Sequence, residues 1–195
     1  MKTYSKIFSK TLITCFVLTI TQSALTAETS DPRYIGELHP PVMVSEDNKK
    51  LVVYFLKSNF KNSISEAHIA AGEIFYVQVH PLKAELKYIW KIEGEEITSV
   101  FFYDWKTPSR AGKTMYVLTR SPISSNHFNG ILYSTLAIPI ISEGDTLSLI
   151  FFPGDPQDPK LQSCYEGIYL ETKKATHCAY KNAGAIKKYL ANQDK

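Results

Sequence analysis

Apolar and polar residues alternate in short runs from about residue 50 to residue 151, the period of a β-strand, whose successive side chains point to opposite faces. Leu51 to Lys57 is a compact apolar run, and Phe75, Val77 and Val79 alternate with Tyr76, Gln78 and His80 until Pro81 stops the segment. The cleanest alternation comes next. Leu86, Tyr88, Trp90 and Ile92 are expected on one face, with Lys87, Lys91 and Glu93 on a wet one. Gly94 then marks a turn, and Ile97 to Trp105 is expected to return as the second arm of a hairpin, with Phe101, Tyr103 and Trp105 sharing a face.

Pro108 to Gly112 separate this arm from a strand at Thr114 to Arg120, which Ser121-Pro122 is expected to end. A polar loop from Ser124 to Gly130 leads to Ile131 through Ile141. That run leaves strand and buried helix both open, although Pro139 argues against an uninterrupted helix. Ser142-Glu143-Gly144-Asp145 reads as a turn, with Leu147, Leu149 and Phe151 as the following strand, and Pro153-Gly154-Asp155-Pro156 with Pro159 predicts an extended surface loop. Cys164 to Cys178 reads as a hairpin, or a strand and its return, with Ile168 and Leu170 on the buried side. Helical spacing is confined to the end of the chain. There Ala183, Ile186 and Leu190 recur on one face, with Lys187 and Lys188 in the later turns where cations suit the helix dipole. The pattern predicts a mainly β domain over residues 28–195, sandwich-like or α+β, closed by a C-terminal helix. No linker or internal repeat divides it, and the 12 Tyr and 10 Phe favour strands.

Residues 1–27 have a different pattern, that of a cleavable secretory leader. Lys2, Lys6 and Lys10 precede an apolar run from Thr11 to Ile20, and Ala24-Leu25-Thr26-Ala27 offers small residues for cleavage. The run is shorter than the roughly 20 residues that span a bilayer core, so no stable membrane anchor is expected after cleavage. A lipid anchor at Cys15 is disfavoured by Thr14 before it and by the apolar residues after it. The expected compartment is the periplasm or the exterior.

Losing the leader changes the charge. Its three lysines are among 22 basic residues, and without them 19 face 19 acidic ones. A neutral chain with lysines only in pairs gives no footprint for nucleic acid. Two cysteines remain, Cys164 and Cys178, and in an exported chain such a pair reads as a disulfide rather than as metal ligands, since no C-x-x-C spacing accompanies it.

The chemical motifs are incomplete. Gly112-Lys113-Thr114 ends like a phosphate-binding loop, but Thr107 stands where its first glycine belongs and a strand, not a helix, follows. Ser58-Asn59-Phe60-Lys61 has the S-x-x-K spacing, yet no Lys-Thr-Gly follows downstream, and no G-x-S-x-G elbow occurs. His39, His68, His80, His127 and His177 are dispersed without metal-ligand spacing. No catalytic residue, cofactor site or metal site is therefore expected. The strongest recognition feature is the aromatic run ending at Tyr103 and Trp105 beside Arg110, because aromatics with arginine dominate binding hot spots; the favoured alternative is that Phe101, Tyr103 and Trp105 are core and Arg110 is a solvated side chain. These observations point to a non-catalytic binding protein for a protein or small-molecule ligand of the cell envelope. An inhibitor or immunity-type neutraliser of a toxin, a cell-wall-active enzyme or an antibiotic fits best. Two alternatives stand beside it. One is an envelope hydrolase assembling His80, Asp104 and His127 in space; the other is an envelope assembly component using the Leu86 to Trp105 segment as an edge.

Overall fold

The apolar alternations pair as antiparallel strands in two sheets, seen in a computed structural model that describes residues 34–58, 70–79, 84–151 and 158–195. The leader, His68, His80 and the Pro153 to Pro156 segment lie outside the described residues. Strands β1 (Tyr34–Glu46), β2 (Lys49–Ser58), β3 (Ala70–Gln78) and β4 (Leu86–Glu93) form a four-stranded sheet in that order. The larger sheet contains β5 (Glu96–Trp105), β6 (Gly112–Ser124), β7 (Phe128–Glu143), β9 (Cys164–Tyr169) and β10 (Lys174–Thr176), ordered β10-β9-β7-β6-β5. The long strand β7 gives its first half to β9 and its last residues to β8 (Thr146–Leu149). Leu51, Val53, Phe55 and Ile74 of the small sheet meet Met115, Val117, Ile138 and Leu147 of the large one in the main core, which makes the fold a sandwich.

Strand β1 carries no clear alternation because its register slips three times around Gly36 and Pro40-Pro41. The turn after it is nonetheless written in the chain. Asp47 and Asn48 both adopt positive φ, 47° and 64°, the conformation of a two-residue hairpin turn that these two residue types tolerate.

Long-range pairing corrects several local expectations. Trp90 pairs with Ile74 but Tyr88 pairs with Phe75, so Ile89 is an extra, bulged residue. The bulge reverses the strand's faces: Ile89, Trp90 and Ile92 join the core, whereas Leu86 and Tyr88 are each 51 % exposed on the outer face. Likewise Tyr76, not Phe75, enters the main core, and Phe75 packs outside against Tyr34 and Tyr88. The expected hairpin around Gly94 is absent, because β4 pairs with β3 and β5 with β6. Gly94, at φ +135°, instead carries the chain from one sheet to the other. The assembly reading thereby loses its hairpin, since β4 and β5 are edges of different sheets.

Pro122 does not end β6, which continues to Ser124. The neighbour β5 stops at the Glu96–Arg120 pair, so beyond Arg120 the strand is an edge and the missing N–H of proline breaks no ladder on that side. Residues 131–141 resolve as strand, and Pro159, expected in the extended loop, opens a one-turn helix α1 (Pro159–Gln162) capped by Asp158. In β9 the expected buried residue Ile168 is 47 % exposed, and Tyr165 and Tyr169 on the other face are exposed as well. There Phe128 packs edge-on against Tyr165 and Tyr169, and Gly130 faces Gly167. A Cβ on Gly167 would lie 2.3 Å from the carbonyl oxygen of Asn129, so only glycine permits this approach.

Candidate functional site

The outer face of the large sheet is apolar as well. Phe101 and Trp105 of β5 lie beside Tyr116 and Leu118 of β6, and the C-terminal helix α2 (Ala183–Gln193) covers them with Ile186 and Leu190, joined by Leu161 of α1. This second core confirms the common face expected for Phe101, Tyr103 and Trp105. Lys187, expected to serve the helix dipole, precedes the last turn and instead holds its ammonium 5.5 Å from the centre of the Phe101 ring.

Both ends of the covering helix are tied down. At its start, the Asn182 side chain accepts from the N–H of Ala185 at 2.9 Å, and the Cys164–Cys178 disulfide holds the preceding segment against β9. Glu166 reinforces this tie by accepting from the His177 ring, from the N–H of Cys178 and from the Lys181 ammonium, which hold its carboxyl down to about 2. At the far end Asp194 accepts from the Thr107 hydroxyl at 2.6 Å, the N–H groups of Thr107 and Lys106, and the Tyr103 hydroxyl. The Thr107 hydroxyl is the main reason that its carboxyl falls to about 2.

A depressed carboxylate stabilises the folded chain fully above its unfolded value and loses that effect as the pH falls through the folded one. For Asp194 and Glu166 the window runs from about pH 4 to about pH 2. Thermal melting of the parent is therefore expected to fall across this window more steeply than that of Asp194→Asn. Parallel melting curves for the two proteins would show that the Asp194 clamp does not contribute.

Where Asp194 fastens the loop after β5, a half-open groove of about 830 Å³ lies between α1, the end of α2 and the sheet. Trp105, 8 % exposed, donates its indole N–H to the Tyr116 hydroxyl at 3.2 Å. Arg110, in the turn after β5, places its guanidinium 5.0 Å from the centre of the Trp105 ring. Burial pushes the Tyr116 hydroxyl up to about 12, so it remains protonated through the neutral range. Asp158 lines the opposite wall with both oxygens engaged, one by the N–H of Lys160 and the other by the Tyr189 hydroxyl at 2.5 Å. The Thr135 hydroxyl, on a residue only 3 % exposed, has no hydrogen-bond partner among the described residues.

Compared with known proteins, the chain matches no family model, no curated protein and no solved structure. The site rests on its own geometry.

That geometry brings Trp105 and Arg110 together at the groove and fastens Tyr103 beneath Asp194. It separates Asp104 from His127, the two described residues of the hydrolase alternative. Asp104 is exposed on the opposite face of β5, with Lys113 at 4.0 Å as its ion-pair partner. His127 lies past the other end of the sheet, its ring 2.6 Å from Glu171. From Lys113 to Ser124 the intervening strand advances eleven residue steps, about 35 Å at the rise of a strand. Among the described residues no cluster of His, Cys, Asp and Glu could hold a metal ion, and no helix is long and apolar enough to cross a membrane. Tyr116, Thr135 and Asp158 are the groove residues that local patterns missed, because each joins it from a separate element, and Asp194, which clamps the loop beside it, was missed as well. The one local signal was Asp158 before Pro159, an N-cap followed by a proline suited to a helix start.

Proposed function

We propose that this chain is an exported, non-catalytic binding protein, an inhibitor or immunity-type neutraliser of a toxin, a cell-wall-active enzyme or an antibiotic, with its target held at the Trp105–Arg110 groove. The observation that carries this reading is the groove's lip. There an exposed guanidinium lies over a buried indole that Tyr116 holds in place, so a planar cation is presented on a rigid aromatic support at little entropic cost. The leader-like first 27 residues and the disulfide support action in an oxidising compartment outside the cytoplasm.

The reading is tested by affinity capture from the native envelope fraction, with mass spectrometry of the proteins and small molecules retained. Arg110→Glu is expected to reduce recovery of the stoichiometric target at least tenfold. Because Arg110 is exposed, the same change is expected to alter folding stability by no more than about 1 kcal/mol. Undiminished capture by this variant would remove the groove from target recognition.

A further inference from the structure

We infer that the outer face of the small sheet packs against the same face of a second copy of this chain, giving a two-fold symmetric dimer. The inference is independent of the groove, which lies on the other layer of the sandwich.

The strand register defines the face. Met43, Val52, Val77 and Leu86 are successive partners across the four strands and form an aliphatic row. Two residues along each strand, on the same side, Tyr54, Phe75 and Tyr88 form an aromatic row. The alternate residues Val53, Phe55, Ile74 and Tyr76 enter the main core, so both rows point away from it. Leu86 and Tyr88 are half exposed and Met43 more so, while α1 and α2 pack on the large sheet instead. An apolar row crossing a whole sheet in contact with water marks an interaction surface.

The charges at its two ends identify the occupant. Lys50 stands beyond the aliphatic row, and Glu37 and Glu73 flank Leu56 beyond the aromatic row. Lys50 and Glu37 are exposed, with no ion-pair partner among the described residues, and Glu73 accepts from the Tyr34 hydroxyl. Lys91, at the Glu73 end, is already paired with Glu93 at 3.0 Å. A two-fold axis running across the strands at the level of Val53 reverses the partner sheet. Position 52 then lies over position 54, and position 50 over position 56. Each aliphatic row therefore meets an aromatic row, and each Lys50 meets the Glu37 and Glu73 end of the second copy. An anionic lipid surface would match only the Lys50 end and be repelled by the other.

The size of the face sets the strength. Four strands about 4.8 Å apart and six residue steps of about 3.3 Å give roughly 400 Å² in projection. That is below the roughly 800 Å² per partner of a standard stable interface, so a reversible dimer with a micromolar dissociation constant is expected. Both grooves remain open on its outer sides.

The test is sedimentation equilibrium of the exported protein, disulfide intact, over a series from micromolar to millimolar concentration. A reversible monomer–dimer equilibrium is expected. Leu86→Lys should leave only monomer at every concentration while melting like the dilute parent, because Leu86 is exposed. Lys50→Glu should weaken association at least fivefold, and adding Glu37→Lys to it should recover most of the loss. The two positions are about 20 Å apart within one chain, so recovery requires contact between copies. A monomer throughout the series, a dimer that survives Leu86→Lys, or no recovery in the double variant would overturn the inference. Two further results would reassign the face. Binding of a monomeric parent, but not of Leu86→Lys, to phosphatidylglycerol vesicles would give it to lipid. Loss of target capture by Leu86→Lys, with capture by Arg110→Glu intact, would give it to the target.

Discussion

Replacing Ile186 with Ala is expected to lower the free energy of unfolding by about 2–5 kcal/mol, the range for emptying a fully buried aliphatic position. Ile186 is 0 % exposed and sits among Phe101, Tyr116, Leu118 and Leu190 in the core that α1 and α2 cover. An eleven-residue helix has little stability in isolation, so α2 persists because its apolar stripe is docked. The loss should therefore be partly local. Tryptophan emission should shift to the red as water reaches Trp105, while the main core around Phe55 and Met115 stays protected from hydrogen exchange. Lys188→Ala, on the exposed side of the same helix, should change stability by less than about 0.5 kcal/mol and serves as the control. An Ile186→Ala protein within about 1 kcal/mol of the parent would mean that the helix does not hold the second core.

Removing the disulfide is expected to cost about 3 kcal/mol, measured by denaturant unfolding of the Cys164→Ser, Cys178→Ser double variant. The crosslink closes a separation of 14 residues around the β9–β10 hairpin, and that loop length sets the size of the effect in the unfolded chain. Its consequence in the folded chain follows from position. Cys178 lies just before Lys181 and Asn182, and its N–H is bound by Glu166, so the staple also fixes where α2 begins. Faster hydrogen exchange throughout α2 is expected in the double variant, with β2 and β3 unchanged. Equal exchange in α2 would show that Glu166 holds the segment without the staple.

The residues of the candidate site differ in how far each was readable, and distance along the chain is the reason. Tyr103, Trp105 and Arg110 are close in sequence, and a strand followed by a short turn brings the last two together at the groove. Tyr116 was visible only as one apolar residue in a strand. Its hydroxyl becomes part of the site because β6 lies beside β5 and burial keeps it protonated. Thr135 lay in the run from Ile131 to Ile141 that left strand and helix open, and it reaches the groove because β7 lies beside β6. Asp194, in the penultimate position, gave no local signal that it would clamp a turn some ninety residues earlier.

Local chemistry by itself determined the β class, the terminal helix, the turn at Gly144-Asp145, and the cysteine pair. Alternation, backbone preference and crosslinking act on residues within reach of one another, so a reading of neighbours captures them. Tertiary structure alone decided which side of each alternation is buried, because a single bulge at Ile89 exchanges the two faces of β4. It also decided that the chain crosses between sheets at Gly94, and that the outer face of the large sheet is a second core rather than a wet surface. Those outcomes depend on which strand lies alongside and which helix lies above, contacts whose free energy exists only once distant segments meet.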